Sequence, residues 1–271
     1  MNSHIKITIC TACYNSGLTI RQTIESVIMQ TYPHIEYIII DGLSRDGTMD
    51  IVAEYGNKIK YISEPDSGLY DAFNKAIDLA TGDYIQFVGA DDCLYDEHVI
   101  QKVVNYINKN PNKDFYCGDR IRVYKRKNKF FEKLECNNMD LCKKYDELFW
   151  SPHTSMFVKT SIMKKEKFVT YGGFGADYYF ILKSFYVDKY IFAFMNYPIA
   201  YFADGGISSD IDSCYAENEK IKEKLGLVNI RKKDNMFYII RKLFRKIIAI
   251  KNINKEHHCS NKVCRWCSRG N

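Results

Sequence analysis

The chain has 271 residues, of which 46% are hydrophobic and 27% charged, and its 21 tyrosines and 16 phenylalanines exclude a disordered protein. The opening MNSHIKITIC lacks the segments of a signal peptide, and no apolar run is long enough to span a membrane. The net charge of +6 is uneven, because residues 231–271 hold 12 Lys and Arg against 2 Asp and Glu. We therefore expect a cytoplasmic protein with reduced cysteines, an acidic body and a basic tail.

Strands and helices alternate four times in the first part of the chain. Alternating isoleucines over Ile5–Ile9 predict a strand, and apolar residues at helical spacing behind a capping-box pattern at Thr19–Gln22 predict a helix. The runs IEYIIIDG, KIKYIS and DYIQFV are typical of further strands, and YDAFNKAIDLATG is typical of a helix that ends at Gly82. This alternation predicts an open, mostly parallel α/β sheet.

Polar side chains follow each of these four strands. They are Thr11–Asn15, Asp41 with Ser44 and Asp46, Glu64–Asp66, and Asp91 with Asp92. Ligands of parallel α/β sheets bind beyond the carboxyl ends of the strands, so we expect the four clusters to meet in one site.

The adjacent carboxylates Asp91 and Asp92 have two interpretations. A divalent cation would neutralise them and join them to phosphate oxygens, as Mg²⁺ or Mn²⁺ commonly does. Alternatively, Asp92 starts the next helix, where its charge suits the helix dipole.

The second half of the chain is less regular. The segments DFYCGDRIRVY, HTSMFVK and YIFAFMNYPIAYF predict strands, and ADYYFILKSFYV predicts a helix. The chain contains no internal repeat and no low-complexity linker.

Seven segments in one order carry a family resemblance. They are ITICTACYNSGLTIRQTIESVIMQTY, EYIIIDGLSRDGT, SEPDSGLYDAFNKAI, GDYIQFVGADD, SPHTSMF, GADYYFILK and FADGGIS. Over roughly residues 5–207 the chain resembles a bacterial family 2 glycosyltransferase of the GT-A fold, the kind that assembles O-antigen of lipopolysaccharide, capsule or exopolysaccharide.

The resemblance implies a fold, a domain organisation and a reaction. The fold would be a Rossmann-like, mostly parallel sheet flanked by helices over residues 1–207, with a nucleotide-binding half (1–100) and an acceptor half (101–207). The reaction would be inverting, metal-dependent transfer of a hexose from a nucleotide-sugar, a UDP-sugar, to a lipid-linked (polyprenyl diphosphate) saccharide. The enzyme would then be peripheral on the inner face of the cytoplasmic membrane.

The resemblance also implies roles for individual residues. Asp177 matches the catalytic base, Asp91 the ligand of Mn²⁺ or Mg²⁺, and His153 a histidine on the acceptor side. The residues that would bind the nucleotide-sugar are Thr11, Cys13, Tyr14, Asn15, Asp41, Asp66, Lys75 and Asp92. The chain departs from the family at Gly89, which replaces the first acid of the Asp-x-Asp metal motif, so Asp91 would hold the metal with fewer protein ligands.

Simpler roles remain open for two of these residues. Asp177 could serve only as a negative charge at the start of the helix that it opens. His153 could equally make a hydrogen bond within the core.

The C-terminal region is predicted as a helical linker (208–230), a basic amphipathic helix (231–254) and a tail with cysteines and histidines (255–271). The helix presents cations opposite an apolar face, which favours an anionic membrane surface over packing on the body. Nothing else indicates base recognition, so we expect no nucleic acid partner. Cys264 and Cys267 with neighbouring Cys and His could close a zinc site, but a single Cys-x-x-Cys favours a reduced tail.

Two other functions compete with glycosyl transfer. A sugar-phosphate nucleotidyltransferase shares the architecture but would carry a glycine-rich loop after the first strand, where TACYNSG has only Gly17. A catalytically degenerate, membrane-associated scaffold is favoured by the loss of an acid at Gly89 and opposed by Asp91 and Asp177.

Overall fold

The computed structural model describes residues 4–126, 129–135, 151, 153–170, 175–203, 211–227 and 255–256. Its first half is a parallel sheet in the order β3-β2-β1-β4. The strands are β1 (Ile7–Cys13), β2 (Ile35–Asp41), β3 (Lys60–Ser63) and β4 (Tyr84–Phe87). The connecting helices are α1 (Ile20–Ile28), α2 (Thr48–Ala53), with a short 3-10 turn at Gly56–Lys58, and α3 (Leu69–Leu79). The predicted fourfold alternation is confirmed.

The two central strands of this half are apolar on both faces because helices cover both sides of the sheet. On β1, Ile7 and Ile9 pack into one fully buried cluster, and Cys10 packs into a second cluster on the opposite face with Ile38 and Ile40 of β2. The edge strand β3 is exposed along its length. Burial therefore fixes the register of β1 and β2, and with it the positions of their carboxyl ends.

The second half of the sheet is mixed. It comprises β5 (Cys93–Leu94), β6 (Phe115–Arg126), β7 (Lys129–Glu135), β8 (Met156–Lys159), β9 (Phe192–Ala203) and β10 (Lys255–Glu256). β8 joins β4 to β6 by antiparallel pairing, while β9 runs parallel to β6 and antiparallel to β5. The mostly parallel arrangement thus describes the first half, and β8 turns the sheet into a mixed one.

The helices of the second half are α4 (Val99–Lys109), α5 (Thr160–Glu166), α6 (Ala176–Leu182) and α7 (Ile211–Lys224). A 3-10 turn at His153–Ser155 precedes β8, and a π-helical turn at Lys183–Val187 extends α6. α7 falls within the expected linker 208–230, and the domain bounds otherwise stay predictions. The expected basic helix, 231–254, lies outside the described residues, as does the tail apart from 255–256, which pair with β7. No helix in the described part of the chain is long and apolar enough to cross a membrane.

Two local expectations are wrong. Thr19 makes no side-chain cap to α1, because its hydroxyl donates instead to the carbonyl oxygens of Ser16 and Ala90. Asp92 does not start a helix, since β5 follows it directly and α4 begins only at Val99. The helix-start interpretation of Asp92 is therefore excluded.

Candidate active site

The carboxyl ends of the parallel strands bring three of the predicted polar clusters together. Cys13, the last residue of β1, lies opposite Asp41, the last residue of β2, and Asp41 lies opposite Ser63, the last residue of β3. β4 pairs with the other side of β1, so the chain that leaves it towards Asp91 starts from the same sheet edge.

Asp41 organises the loops of this edge. The carboxylate is fully buried and accepts hydrogen bonds from the Ser44 amide at 3.0 Å, from the Ser44 hydroxyl, and from the Ser63 hydroxyl at 2.7 Å. The Cys13 thiol donates to it at 3.6 Å. Burial, followed by the negative charge of Asp41, raises the pKa of Cys13 well above its usual range, so this thiol stays protonated. The hydrogen-bond acceptors of the Asp41 carboxylate are thus occupied by donors of its own chain, and Asp41 lies beneath the surface of the site.

The loop after β1 presents one aromatic ring to solvent. Asn15 adopts a left-handed φ of 49°, and its side-chain oxygen accepts a hydrogen bond from the Arg45 amide at 2.9 Å, which ties this loop to the one after β2. Tyr14 is 65% exposed. Thr11 faces the interior instead, where its hydroxyl shares a hydrogen bond of 3.1 Å with Tyr37. Of the predicted nucleotide-binding residues in and before this loop, Tyr14 and Asn15 lie at the surface, whereas Thr11 is buried. Nucleotide binding by Thr11 stays a prediction.

Asp66 and Tyr14 converge over Gly42. A Cβ atom at Gly42 would lie 2.7 Å from a carboxylate oxygen of Asp66 and 3.4 Å from the Tyr14 ring, so only glycine leaves this approach open. Asp66 also accepts a hydrogen bond from the Gly68 amide at 2.9 Å, just before α3. Lys75, on α3, pairs with Glu64 at 2.8 Å and donates to the Pro65 carbonyl at 2.7 Å. Lys75 therefore anchors the loop that carries Asp66.

The two acids after β4 lie in different environments. Asp92 is 2% exposed, and one of its oxygens accepts a hydrogen bond of 3.0 Å from the Ala203 amide at the end of β9. Burial, and then the charge of Asp91, raises the pKa of Asp92 to about 7. Asp91 is only partly buried. Asp92 thus fastens the two halves of the sheet together, and Asp91 is the more accessible of the two acids.

The described residues fit a divalent cation at Asp91, although they contain no group of three or more His, Cys, Asp or Glu side chains placed to hold one. A Cβ atom at Gly89 would lie 2.8 Å from an Asp92 oxygen and 3.1 Å from an Asp91 oxygen, so the missing side chain leaves room beside both acids. Carboxylate oxygens suit hard cations, and Mg²⁺ in particular is commonly held by one or two carboxylates together with substrate phosphates. Asp91 could therefore hold a cation that takes its remaining ligands from the substrate.

A second acid centre forms around Asp177 in the first turn of α6. One carboxylate oxygen accepts hydrogen bonds from the Tyr70 hydroxyl at 3.0 Å and from the Tyr178 amide at 2.8 Å, and the other lies 2.9 Å from Nδ1 of His153. Burial alone would raise the pKa of Asp177, but the hydrogen bond and charge of His153, with the other donors, outweigh it and lower this pKa. The Asp177 carboxylate is therefore ionised and largely shielded from solvent.

The 3-10 turn that carries His153 lies against β4, since the Gln86 side chain donates a hydrogen bond to the Thr154 carbonyl oxygen at 2.8 Å. Within this cluster, His153 pairs with Asp177 and also opposes the rise in the pKa of Asp92. Asp177 is a first-turn acid of α6, as the simpler interpretation expects, and also the partner of His153, while its role as catalytic base stays a prediction.

Sequence reasoning missed two members of this cluster. Tyr70 falls within a motif, but nothing in its spacing signals a contact with Asp177, 107 residues later in the chain. Arg120, on β6, is 7% exposed, stacks on Phe202 at 4.5 Å and pairs with Glu135 at 2.7 Å. Its positive charge opposes burial and Asp91, which together raise the pKa of Asp92. An arginine in a strand carries no sequence signal for this role.

Solved structures share this architecture. S. aureus TarS (residues 1–349, in complex with UDP-GlcNAc) superimposes with a TM-score of 0.65 at 16% identity, over 84% of this chain and 68% of that one. A mannosyltransferase from Pyrobaculum calidifontis, in complex with GDP-Man and Mn²⁺, gives a TM-score of 0.59 at 16% identity, over 77% and 59%. The protein therefore has the GT-A fold that these structures share.

Sequence comparison places the chain in a family. The model of Glycosyl transferase family 2 matches residues 8–172, and the chain belongs to this family. A PGL/p-HBAD biosynthesis glycosyltransferase of Mycobacterium tuberculosis is 33% identical over 111 residues, or 40% of this chain and 43% of that protein. An uncharacterized glycosyltransferase of Rickettsia typhi is 34% identical over 129 residues, or 47% and 40%. The chain thus spans less than half the length of these relatives, and the family assignment disfavours a nucleotidyltransferase.

Proposed function

We propose that this protein is an inverting glycosyltransferase that moves a hexose from a UDP-sugar to a lipid-linked saccharide in the assembly of a bacterial surface polysaccharide. The observation that carries the proposal is the position of His153, which pairs with Asp177 at 2.9 Å and belongs to a turn that the Gln86 side chain holds against β4. Since Asp91 follows β4, this position supports a candidate base near a candidate metal ligand, an arrangement that suits transfer from a nucleotide-sugar.

The donor would bind over the loops at the carboxyl ends of β1–β3. The exposed ring of Tyr14 offers a stacking surface for a nucleobase, and Asp66 beside Gly42 offers a hydrogen-bond acceptor. The complexes of TarS with UDP-GlcNAc and with UDP support a uridine nucleotide, although the mannosyltransferase carries GDP-Man.

Asp91 would hold Mn²⁺ or Mg²⁺, which supplies Lewis-acid stabilisation of the charge that develops on the departing diphosphate. The neighbouring Asp92 would remain fastened to Ala203 beneath it. The Mn²⁺ in the mannosyltransferase complex supports a divalent ion.

Asp177 would act as the general base. As an acceptor hydroxyl attacks the anomeric carbon, its proton passes to the Asp177 carboxylate, the new glycosidic C–O bond forms, and the bond to the diphosphate breaks on the opposite face with its electron pair. A positioned base contributes on the order of 10²–10⁴-fold. The low pKa of Asp177 keeps the carboxylate ionised and ready to accept that proton at neutral pH.

The acceptor side of the proposal draws on composition and on one relative. The mycobacterial relative is a biosynthesis glycosyltransferase, and the basic residues of 231–271 suit an anionic membrane surface where a lipid-linked acceptor would be found. The proposal therefore puts the protein on the inner face of the cytoplasmic membrane.

The first test is calorimetric binding of UDP, with and without Mn²⁺, to the wild type, Asp91→Ala and a control, Asp50→Ala, which removes an exposed acid of α2. We expect Mn²⁺ to tighten UDP binding in the wild type and in the control, and Asp91→Ala to lose about 10-fold or more of that effect. A parallel titration with GDP tests the choice of base. UDP binding that ignores both Mn²⁺ and Asp91 would remove the metal role and favour the scaffold function.

A further inference from the structure

Tyr70 lies where the donor side of the site meets the candidate base. It belongs to the first turn of α3, directly after the loop that carries Asp66 and Gly68. Its side chain is 9% exposed, and its ring packs against Phe168 at 5.4 Å and Phe73 at 6.3 Å between centroids. The two aromatic neighbours hold the ring, so its hydroxyl has a defined position.

That hydroxyl donates a hydrogen bond of 3.0 Å to Asp177. Burial, followed by the charge of Asp177, raises the pKa of Tyr70 well above its usual range, so the phenol stays protonated and able to donate at neutral pH. A buried phenol needs a hydrogen-bond partner, and a hydrogen bond to a charged group is among the stronger ones, so this contact fixes the hydroxyl and the carboxylate against each other.

Tyr70 and His153 address different oxygens of Asp177. Tyr70 donates to Oδ1, together with the Tyr178 amide, and Nδ1 of His153 lies against Oδ2. Donors on both oxygens fix the plane of the carboxylate. Among the described residues, the charged or titratable groups that face this centre are His153 from the 3-10 turn, Tyr70 from α3, Glu217 from α7 through its effect on Tyr70, and Asp92, whose pKa His153 lowers against the effect of burial.

We propose that Tyr70 is a positioning residue that orients Asp177 for proton transfer and links its carboxylate to the loop that carries Asp66. This inference rests on the proposed role of Asp177 as general base. The start of α3 would then have a function beyond donor binding. Tyr70, whose hydroxyl holds Asp177, comes only about one helical turn of chain after Asp66, the acid expected to bind the donor.

Tyr70→Phe tests the inference, because it keeps the ring and removes only the donor. We expect kcat for UDP release to fall about 10-fold with little change in the KM of the donor sugar, since hydrogen bonds to charged groups contribute on this scale. Removing a donor to the ionised form also raises the pKa of Asp177, so the acidic limb of the rate profile should shift to higher pH.

The matched control is Tyr106→Phe, which removes a partly buried phenol that donates to the Phe194 carbonyl at 2.8 Å, in α4 rather than in the site. A second readout needs no substrate. In protein labelled with ¹³C at the Asp carboxyl carbon, the Asp177 resonance is identified by its loss in Asp177→Asn, and it should titrate at higher pH in Tyr70→Phe but not in Tyr106→Phe.

The outcomes separate the inference from the function on which it rests. A Tyr70→Phe protein that matches Tyr106→Phe in rate profile and in carboxyl titration, while Asp177→Asn is inactive, would overturn the inference alone. Turnover retained by folded Asp177→Asn would overturn the assignment of the base, and the positioning role of Tyr70 with it. Inactive Asp177→Asn with both Tyr70→Phe shifts present supports the two together.

Discussion

Single acidic residues of this chain are buried under quite different conditions. Asp41 is saturated by donors, Asp92 has the Ala203 amide and a neighbouring acid, and Asp177 has donors on both oxygens. Sequence identifies all three as acids that follow or precede apolar elements. It could not supply their distant partners, because those lie 22 to 111 positions away in the chain and are brought near only by the fold.

Glu36 provides a residue-scale prediction away from the site. Its side chain is 3% exposed and accepts hydrogen bonds from Lys60 at 2.7 Å, the Thr8 hydroxyl at 2.7 Å and the Thr81 amide at 2.7 Å. Burial alone would raise the pKa of Glu36, but Lys60 and the threonine donors outweigh it and lower the value to about 2. A carboxyl whose folded pKa is depressed stabilises the fold above its unfolded pKa, and this contribution is lost as pH falls through the folded value.

Glu36→Gln should therefore lower the free energy of unfolding by on the order of 2 kcal/mol at pH 7, and the difference should shrink as pH falls from about 4.5 to 2. Urea denaturation across that range measures it. Glu54→Gln serves as the control, because Glu54 pairs with Arg21 at an exposed position and such pairs contribute little. A Glu36→Gln deficit that is independent of pH would mean that lost packing, rather than charge, explains it.

At the scale of elements, the sequence predicts β1–β4 and their parallel arrangement, and in the second half it predicts the strands β6, β8 and β9 and the helix α6 but not how those strands pair. Continuous apolar runs and polar strand ends define β1–β4 because parallel strands are buried on both faces. β5 has two residues, and its pairing with β9 rests on contacts across more than 100 positions, such as Cys93 with Tyr201. The positions of Asp92 and Arg120 depend on those late strands, which is why motif reasoning singled out Asp92 but could not supply its contact with Ala203.

The contact between β6 and β9 gives a prediction at this scale. The register of this pair shifts beside Gly118, and a Cβ atom there would lie 2.4 Å and 2.7 Å from Ile199 side-chain carbons and 2.8 Å from the Tyr197 carbonyl oxygen. Gly118→Ala should lower stability by about 1–3 kcal/mol, since overpacking a closed site forces strands apart.

Gly47→Ala is the comparison for this prediction. Gly47 has a left-handed φ of 85°, but a Cβ atom there would meet only an Asp50 oxygen at 3.9 Å, so its substitution carries backbone strain of about 1–2 kcal/mol without a clash. Thermal denaturation of both variants, with calorimetric UDP binding as a readout of the site, distinguishes them. We expect Gly118→Ala to weaken the junction that holds Asp92 through Ala203, and Gly47→Ala to leave it intact. Equal UDP binding and a smaller loss of stability in Gly118→Ala would show that β9 can move to accept the methyl group.

At the scale of the whole molecule, charge is divided along the chain. Residues 231–271 carry 12 Lys and Arg against 2 Asp and Glu, so the rest of the chain, with 27 basic and 31 acidic residues, is net negative. An acidic body would be repelled by an anionic bilayer, and a basic amphipathic segment would be attracted to it, which together would orient the protein on the surface. Composition predicts this division, but the sheet that forms the site does not depend on it.

Full-length protein should therefore sediment with anionic liposomes at low salt, less so as salt rises, and not with neutral liposomes. Replacing Arg241, Lys242, Arg245 and Lys246 by glutamine should abolish this binding, because each cation near the surface contributes about 1 kcal/mol. The control removes the same charge from exposed lysines of the body: Lys58, Lys109, Lys164 and Lys220. Both variants lose four positive charges, so a loss confined to the first assigns binding to the segment rather than to net charge. Equal loss in both variants would instead assign liposome binding to the overall charge of the protein. Undiminished binding by the variant of the basic segment would mean that the apolar residues of that segment, rather than its cations, bind the liposome.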